Sequence, residues 1–369
     1  MSCDVVVVGA GIIGCASADE LSRRGHRVVL LDGRTIGAGA TQASAGILAP
    51  YIEGHDLTPL LELAARSLAM YDTFVARARA ESGAALDYQR TGTLEIALDL
   101  SQSARLREQE RRIRESRIGC RWLSRAEVRD LEPAVSADIE GGFLVEPHGF
   151  VSALDLSLAL VKAATSRGMV LATGAPVRVI TQNGNALRVD TDTGSFVAPT
   201  VVFAAGSWSG QIALDGVAPI PVRPIRGQLL ALARLTGSIG RVIWGPDCYL
   251  VPRAEGRVLV GATAEDVGFD ERVTVTGVRD LLESACDLVP ELWQASFEGA
   301  RVGLRPATPD EMPIIGRSDK LPGLVYATGH FRNGVLLAPL TAALVGDLVE
   351  GNLSDAALRH TRPQRFGEL

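Results

Sequence analysis

Asp4 to Val8 reads DVVVV, a β-branched run closed by glycine, which is the pattern of a strand buried on both faces. Apolar positions then recur at helical spacing from about Ile12 to Arg24. Gly25 supplies a C-terminal stop, and a second apolar run follows over Arg27 to Leu31. Strand, helix and strand within about thirty residues make one βαβ unit. Residues 33–49 (GRTIGAGATQASAGILA) break the pattern, being small and polar, a composition that lets backbone approach a ligand closely. Helical periodicity resumes over Pro59 to Glu81, with Leu60, Leu63, Ala64, Leu68, Tyr71 and Val75 on one face.

Leu94 to Leu98 reads as a strand. Residues 101–118 read as a charged helix with Leu106 and Ile113 as sparse anchors, a solvated outer face. Asp155 to Arg167 is a further helix, and Thr200 to Ala205 a buried strand ending at Gly206. From Pro219 to Gly261 the pattern shifts to antiparallel strands. Tyr249 to Arg253 and Arg257 to Val260 flank the short turn Ala254-Glu255-Gly256 as a hairpin. Thr276 to Leu288 returns to helix. The chain closes with strand Leu324 to Ala327, a Thr328-Gly329-His330 turn and a helix from about Asn333 to Glu350. No internal repeat or low-complexity stretch interrupts this order.

At 369 residues the chain exceeds the usual size of one core, so two intertwined domains are expected. The net charge of −6, with basic and acidic residues mixed, provides no basic stripe and excludes a nucleic-acid partner. The five cysteines are dispersed, with no C-x-x-C pair or zinc spacing, so reduced thiols and no metal site are expected. Met1-Ser2-Cys3-Asp4 lacks the basic region of a signal peptide. The longest apolar stretch, Val335 to Val345, is soon interrupted by Asp347 and is too short to span a bilayer. A cytoplasmic protein with no membrane partner is the expectation, and self-association into a homo-oligomer is compatible with the sequence.

Chemistry enters at Val8-Gly9-Ala10-Gly11-Ile12-Ile13-Gly14, a G-x-G-x-x-G run after a strand and at a helix start. Gly9 permits the tight turn, Gly11 lets backbone approach a pyrophosphate, and Gly14 lets the helix pack on the sheet. The helix start at Ile12 and Ile13 turns free N–H groups and positive dipole toward phosphate. Asp32 ends the second strand near the roughly 20-residue spacing of a carboxylate that binds ribose hydroxyls. Together these features predict dinucleotide binding. An NAD dehydrogenase would continue into regular βαβ units. This chain instead leaves that pattern after Asp32 and returns near residues 200 and 324. A nucleotide domain assembled from distant segments fits a long cofactor such as FAD better.

The chain resembles the glycine oxidase and D-amino acid oxidase family of flavoproteins, most closely the bacterial glycine oxidases linked to thiamine biosynthesis. The resemblance runs through nearly the whole chain. It is carried by VVGAGIIG (Val7 to Gly14), TQASAGILAP (Thr41 to Pro50), AAGSWSG (Ala204 to Gly210), CYLVPR (Cys248 to Arg253), VGLRPATPDEMPIIG (Val302 to Gly316) and TGHFRNGVLLAP (Thr328 to Pro339). It implies an α/β fold: a discontinuous Rossmann-like FAD-binding domain (1–50, 140–215, 310–369) interleaved with an α+β, antiparallel-sheet substrate domain (51–139, 216–309). Asp32, Gly33 and Arg34 would contact the adenosine half of FAD. Thr41, Gln42, Ala45, Gly46 and Ile47 would line the pyrophosphate and isoalloxazine. Val177 would offer backbone near the adenine, and Gly206 with Trp208 would close over the cofactor. His330, Phe331, Arg332, Asn333, Gly334, Val335 and Leu336 complete the cofactor set. A helix starting near Asn333 would favour negative charge on the reduced ring. The flavin should be non-covalent, because Ala300 to Thr308, where related sarcosine oxidases carry the tethering cysteine, has none.

The resemblance also assigns a catalytic set. Arg305 matches a carboxylate-binding arginine, a role suited to a planar two-pronged donor; a strand-end ion pair is its structural alternative. Tyr249 matches a tyrosine bonding the same carboxylate, and Arg332 a further active-site arginine. His330 is expected to face FAD or fill a turn instead of acting as acid or base. The implied reaction is FAD-dependent oxidative deamination of glycine or a similar small amino acid (sarcosine, D-alanine). Hydride passes to flavin N5, O2 is the electron acceptor, and an imine or 2-oxo acid, ammonia or amine, and H2O2 are formed. Orientation would supply most of the acceleration. Asp247 stands where close relatives often have histidine, and Ala264 hints at room beyond glycine. One other reading stays open, a D-amino acid or 2-hydroxy acid dehydrogenase serving a quinone or protein acceptor. The acidic balance and lack of a fused methyltransferase region argue against a tRNA-modifying flavoprotein, and Arg305 with Tyr249 argues against a non-catalytic FAD-binding subunit.

Overall fold

Val5–Val8 is a central strand of a six-stranded sheet in the computed structural model, which describes residues 3–53, 59–233, 239–367 and 369. Met1 and Ser2 of the leader reading lie outside the described residues. The strand pairs in parallel with Val28–Asp32 on one side and Thr200–Phe203 on the other. Val170–Thr173 extends the sheet beyond the former and Leu324–Thr328 beyond the latter, both parallel. Ile314–Arg317 closes that edge antiparallel. The four inner parallel strands are short and almost wholly buried because helices cover one face of the sheet and the strands around Val177–Asn183 and Ala186–Thr191 cover the other, while the edge strand Val170–Thr173 is partly exposed.

The helix Ile12–Arg23 is buried from Ile12 to Ser22, so it lies inside a layer of helices and not on a surface. It packs against Ala153–Ser166 and Gly334–Val349. The helix Pro59–Ser82, placed by sequence in the substrate segment, joins this same core through Leu63, Leu68, Tyr71 and Val75. Pro339 explains part of that contact. A proline inside a helix removes the bond to the carbonyl four residues earlier. Here Tyr71 Oη donates to the carbonyl of Val335, and Ser67 Oγ accepts from Leu340 N at 3.3 Å. Among the described residues only the span Phe331–Val349 is long and apolar enough to cross a membrane; its window is 67% buried inside the molecule.

The second large sheet has eight strands, in the order Ser296–Ala307, Arg223–Ala233, Arg257–Gly261, Tyr249–Arg253, Val242–Trp244, Thr93–Ala97, Gly141–Val145 and Cys120–Ser124. All its pairings are antiparallel except Val242–Trp244 with Thr93–Ala97. The sheet reaches past residue 139 because Gly141–Val145 pairs with both neighbours. The charged helix spans Leu100–Glu115, capped where Asp99 accepts from Gln102 N at 2.8 Å, with Leu106 buried as its anchor. A four-stranded sheet (Val177–Asn183, Ala186–Thr191, Gly194–Ala198, Ala213–Leu214) and a three-stranded one (Ile47–Leu48, Tyr88–Gln89, Gly149–Val151) complete the fold.

Candidate active site

A cavity of ≈ 720 Å³ opens between the six-stranded and eight-stranded sheets, lined from Gly9, Asp32 and Val177 at one end to Trp244, Tyr249 and Arg305 at the other. Its phosphate end is set by glycines. A Cβ on Gly14 would run into the carbonyl of Gly9, and one on Gly9 (φ +103°) into the carbonyl of Ala204. The cradle therefore exists only with glycine at both positions. Asp32 accepts from Ala10 N at 2.6 Å and from Arg34 N at 2.7 Å, one through each oxygen, which leaves each oxygen a further lone pair on the cavity wall. Burial lifts its carboxyl above the ordinary range, opposed by those two backbone donors.

The loop after Asp32 closes the cradle from above. Thr41, in the short helix Ala40–Ala43, accepts from Ile12 N at 3.0 Å and so caps the helix start. Ala45 and Gly46 (φ +65°) follow, and a Cβ on Gly46 would strike the carbonyl of Val151. Arg253, half-buried at the end of the Tyr249 strand, donates to the carbonyl of Ala45 at 2.7 Å, tying the loop to the eight-stranded sheet. On the far side Arg34 lies 4.2 Å over the Trp208 ring and pairs with Glu271 at 3.1 Å, while Phe269 packs 5.9 Å from Trp208.

The opposite end is a floor made by one face of the eight-stranded sheet. In register, Tyr249 pairs with Gly261, Gly261 with Leu229, Gly227 with Gly303, and Ile225 with Arg305. Paired residues and residues two apart share a face, so Tyr249, Gly261, Gly227, Gly303 and Arg305 all point the same way. A Cβ on Gly227 would meet the Arg305 guanidinium, one on Gly261 the Tyr249 ring, and one on Gly303 the Ala40–Ala43 turn. The missing side chains on the two inner strands form a trough. Arg305 and Tyr249 lean into it from the flanking strands. Arg305 Nη1 donates to the carbonyl of Thr263 at 2.9 Å, and the Trp244 ring sits 5.1 Å from that of Tyr249.

Of the residues singled out from sequence, Gly9, Gly11, Ile12, Ile13, Asp32, Gly33, Arg34, Thr41, Ala45, Gly46, Ile47, Val177, Gly206, Trp208, His330, Phe331, Arg332, Gly334, Val335, Tyr249 and Arg305 meet on this wall. Gly14, Gln42, Asn333 and Leu336 do not line it. Gln42 turns back to the carbonyl of Ala38 at 2.8 Å, and Leu336 is in the core. Arg332 is exposed at the wall with its guanidinium 5.3 Å over Phe331, beside the start of Gly334–Val349, which no side chain caps. His330 is buried, its Nε2 3.0 Å from Thr341 Oγ1, and burial pushes its pKa down to about 3, so the ring is neutral. Asp247 stands exposed on the wall, and Ala264 is outside it between Thr263 and Glu265. Sequence reasoning missed Trp244, Gly227, Thr263, Phe269 and Glu271. Glycine inside a strand was the one local signal for this group, marking close approach by another chain segment.

Comparison with known proteins agrees with this geometry. A family model described as FAD dependent oxidoreductase (DAO) matches residues 4–348. The chain is 37% identical over 366 residues to the bifunctional protein ThiO/ThiG of Nostoc sp., covering 98% of this chain and 54% of that protein. It is 34% identical over 349 residues to the glycine oxidase of Geobacillus kaustophilus, covering 94% of this chain and 93% of that one. It thus spans about half the length of the first relative and nearly all of the second. The crystal structure of glycine oxidase from Geobacillus kaustophilus superposes with a TM-score of 0.94 at 33% identity, covering 99% of both chains.

Proposed function

We propose, from the premise that this chain belongs to the DAO family of FAD-dependent oxidoreductases, that it oxidises the C–N bond of glycine or a comparably small amino acid such as sarcosine or D-alanine. The residues fit the cofactor. Gly9 and Gly14 leave a cradle that a Cβ would fill, Asp32 retains lone pairs toward a ribose, and Trp208 with Arg34 covers the adenosine end. FAD, when bound, supplies the two-electron acceptor for the substrate C–H bond, and it is held non-covalently. The single observation that carries the substrate reading is the glycine trough into which Arg305 and Tyr249 lean.

Arg305 would take the substrate carboxylate through two parallel N–H donors, a geometry that ammonium cannot supply. The Tyr249 hydroxyl would donate to the same carboxylate, fixing which face of the Cα is presented. Arg332 adds positive charge at the wall, beside the uncapped helix start at Gly334. Held carboxylate and enclosed walls orient the substrate, and orientation is the main source of rate. His330 is neutral and committed to Thr341, so it moves no proton. The amine is taken up neutral, and water releases ammonia from the imine product. In sum, glycine, water and O2 give glyoxylate, ammonia and H2O2. The setting we propose is the cytoplasm, with free amino acid as substrate.

The test is anaerobic titration of the FAD-loaded protein with glycine, sarcosine, D-alanine, D-proline and D-lactate, following flavin bleaching, then admission of air and assay of H2O2. Glycine or a small relative should bleach the wild-type protein. Arg305→Ala should bind FAD normally yet lose about 100-fold or more in kcat/KM, the equivalent of roughly 3 kcal/mol for a charge-assisted bidentate contact. Unchanged kinetics in that variant would reject the assignment, and bleaching without H2O2 would assign another electron acceptor.

A further inference from the structure

Arg305 is held from behind by a polar network, buried at Arg226 and Gln228 and half-buried at Thr263 and Glu265, that no part of the proposed chemistry uses. Its Nη1 donates to the carbonyl of Thr263 at 2.9 Å and faces the carbonyl of Arg226 at 3.5 Å. Thr263 is itself pinned. Its hydroxyl donates to Glu265 Oε1 at 2.6 Å and accepts from Gln228 N at 2.9 Å. Glu265 Oε1 also accepts from Gln228 Nε2 at 2.8 Å, and Oε2 from Arg226 at 2.5 Å. Backbone repeats the link, with Arg226 N to Glu265 O at 2.8 Å and Glu265 N to Arg226 O at 2.9 Å. Arg226 is only 4% exposed on its strand, with Asp270 as second partner at 2.9 Å. A guanidinium that buried is held in place by both its carboxylates. Burial by itself would raise the Glu265 carboxyl, but donation from Arg226, Gln228 and Thr263 outweighs it and holds the pKa at about 2, so the carboxylate stays charged through the working range.

We infer that Glu265 is a positioning residue for substrate recognition: through the Thr263 hydroxyl it fixes the carbonyl that aims the Arg305 guanidinium into the glycine trough. Glu265 does not line the cavity, whereas Thr263 and Arg305 do. Its effect therefore reaches Arg305 through neighbours: mainly Thr263, whose carbonyl accepts at 2.9 Å, and secondarily Arg226, whose carbonyl lies at 3.5 Å. Loss of aim at a bidentate contact weakens carboxylate capture more than it slows the step after capture. The inference rests on the reading of Arg305 as the carboxylate clamp, so the experiment includes that residue.

Oxidised holoenzyme is titrated with acetate, a carboxylate with no amine to oxidise, and followed through the flavin absorption spectrum. Glycine KM and kcat, flavin content and Tm are measured alongside. The variants are Glu265→Gln, Thr263→Val, Thr263→Ser and Arg305→Lys. Glu265→Gln and Thr263→Val should raise the acetate Kd and the glycine KM about tenfold, with a smaller fall in kcat and full flavin content. Thr263→Ser, which keeps the hydroxyl, should restore acetate affinity. If Glu265→Gln does not fold, the Thr263 pair decides alone. Unchanged acetate affinity in folded Thr263→Val, while Arg305→Lys weakens it, overturns the positioning role and leaves the clamp standing. Unchanged affinity in Arg305→Lys overturns the clamp, and the positioning role with it.

Discussion

His330 and His148 show how much a single buried residue decides here. Each is enclosed by the fold. Burial pushes the pKa of each down to about 3, with Arg90 adding to the effect at His148. His148 stacks on Tyr51 at 5.4 Å and accepts from Tyr51 N at 3.3 Å, which requires the neutral ring. The sign follows from linkage. Between pH 6.5 and 3 the unfolded chain carries more protons on these rings than the folded one. Their stabilising contribution is therefore complete above about pH 6.5 and is lost as pH falls toward 3, by about 2 kcal/mol for each ring at pH 5. Tm should fall between pH 7 and pH 5, and His148→Gln, which keeps an acceptor for Tyr51, should show a shallower fall. Equal slopes in the two proteins would mean that His148 titrates alike in the folded and unfolded states and that its burial does not lower its pKa.

At the scale of elements, what was legible in the sequence was what is local. The cradle strand, its helix and Asp32 follow from a glycine pattern and a change of period within one βαβ unit, and they stand where that pattern puts them. The helix Val275–Leu288 and the hairpin Tyr249–Arg253 with Arg257–Gly261 were equally plain, the first from its amphipathic period and the second from the short Ala254-Glu255-Gly256 turn between two strand-like runs. The long strands Arg223–Ala233 and Ser296–Ala307 were not, because Pro224, Gly227, Gly303 and Pro306 interrupt any alternation. Those glycines answer to Arg305 and to the Ala40–Ala43 turn, contacts that no local window contains. The segment from Thr263 to Thr274 was unreadable for the same reason: Phe269 and Glu271 matter only once Trp208 and Arg34 lie beneath them. The relative weight of those two contacts can be measured. The Arg34–Glu271 pair is more than a third exposed on both sides, so it is worth at most about 1 kcal/mol, and Glu271→Ala should weaken FAD binding by no more than about fivefold. Trp208→Ala removes the ring that carries Arg34 and Phe269, and should weaken it by about tenfold or more. FAD fluorescence titration of the two apoproteins ranks them, and a larger loss in Glu271→Ala would show that charge, not the ring, holds this end.

Across the whole molecule, the cavity is a seam. One wall comes from the six-stranded sheet and its helix starts, the other from the eight-stranded sheet. Polar ties across it among the described residues include Arg253 to the Ala45 carbonyl at 2.7 Å, Arg301 to the Gln42 carbonyl at 3.3 Å, Ser207 Oγ to the Leu304 carbonyl at 2.7 Å, and the Arg34–Glu271 pair. A cofactor lying in such a seam contacts both walls in the native state and neither after unfolding, so its binding free energy adds to the stability of both sheets at once. Linkage gives the size: free FAD at 100 times its Kd should stabilise the fold by about 2.7 kcal/mol, and at 1,000 times by about 4.1 kcal/mol. Tm of the apoprotein should therefore climb with FAD concentration, and its unfolding should sharpen toward one transition as flavin joins the sheets. Riboflavin, which lacks the pyrophosphate and adenosine, should give only part of the rise, because it leaves the cradle at Gly9 and Asp32 unfilled. Thermal melts of apoprotein against FAD and riboflavin read this directly. A rise with riboflavin equal to that with FAD would mean that the glycine cradle contributes nothing to holding the cofactor.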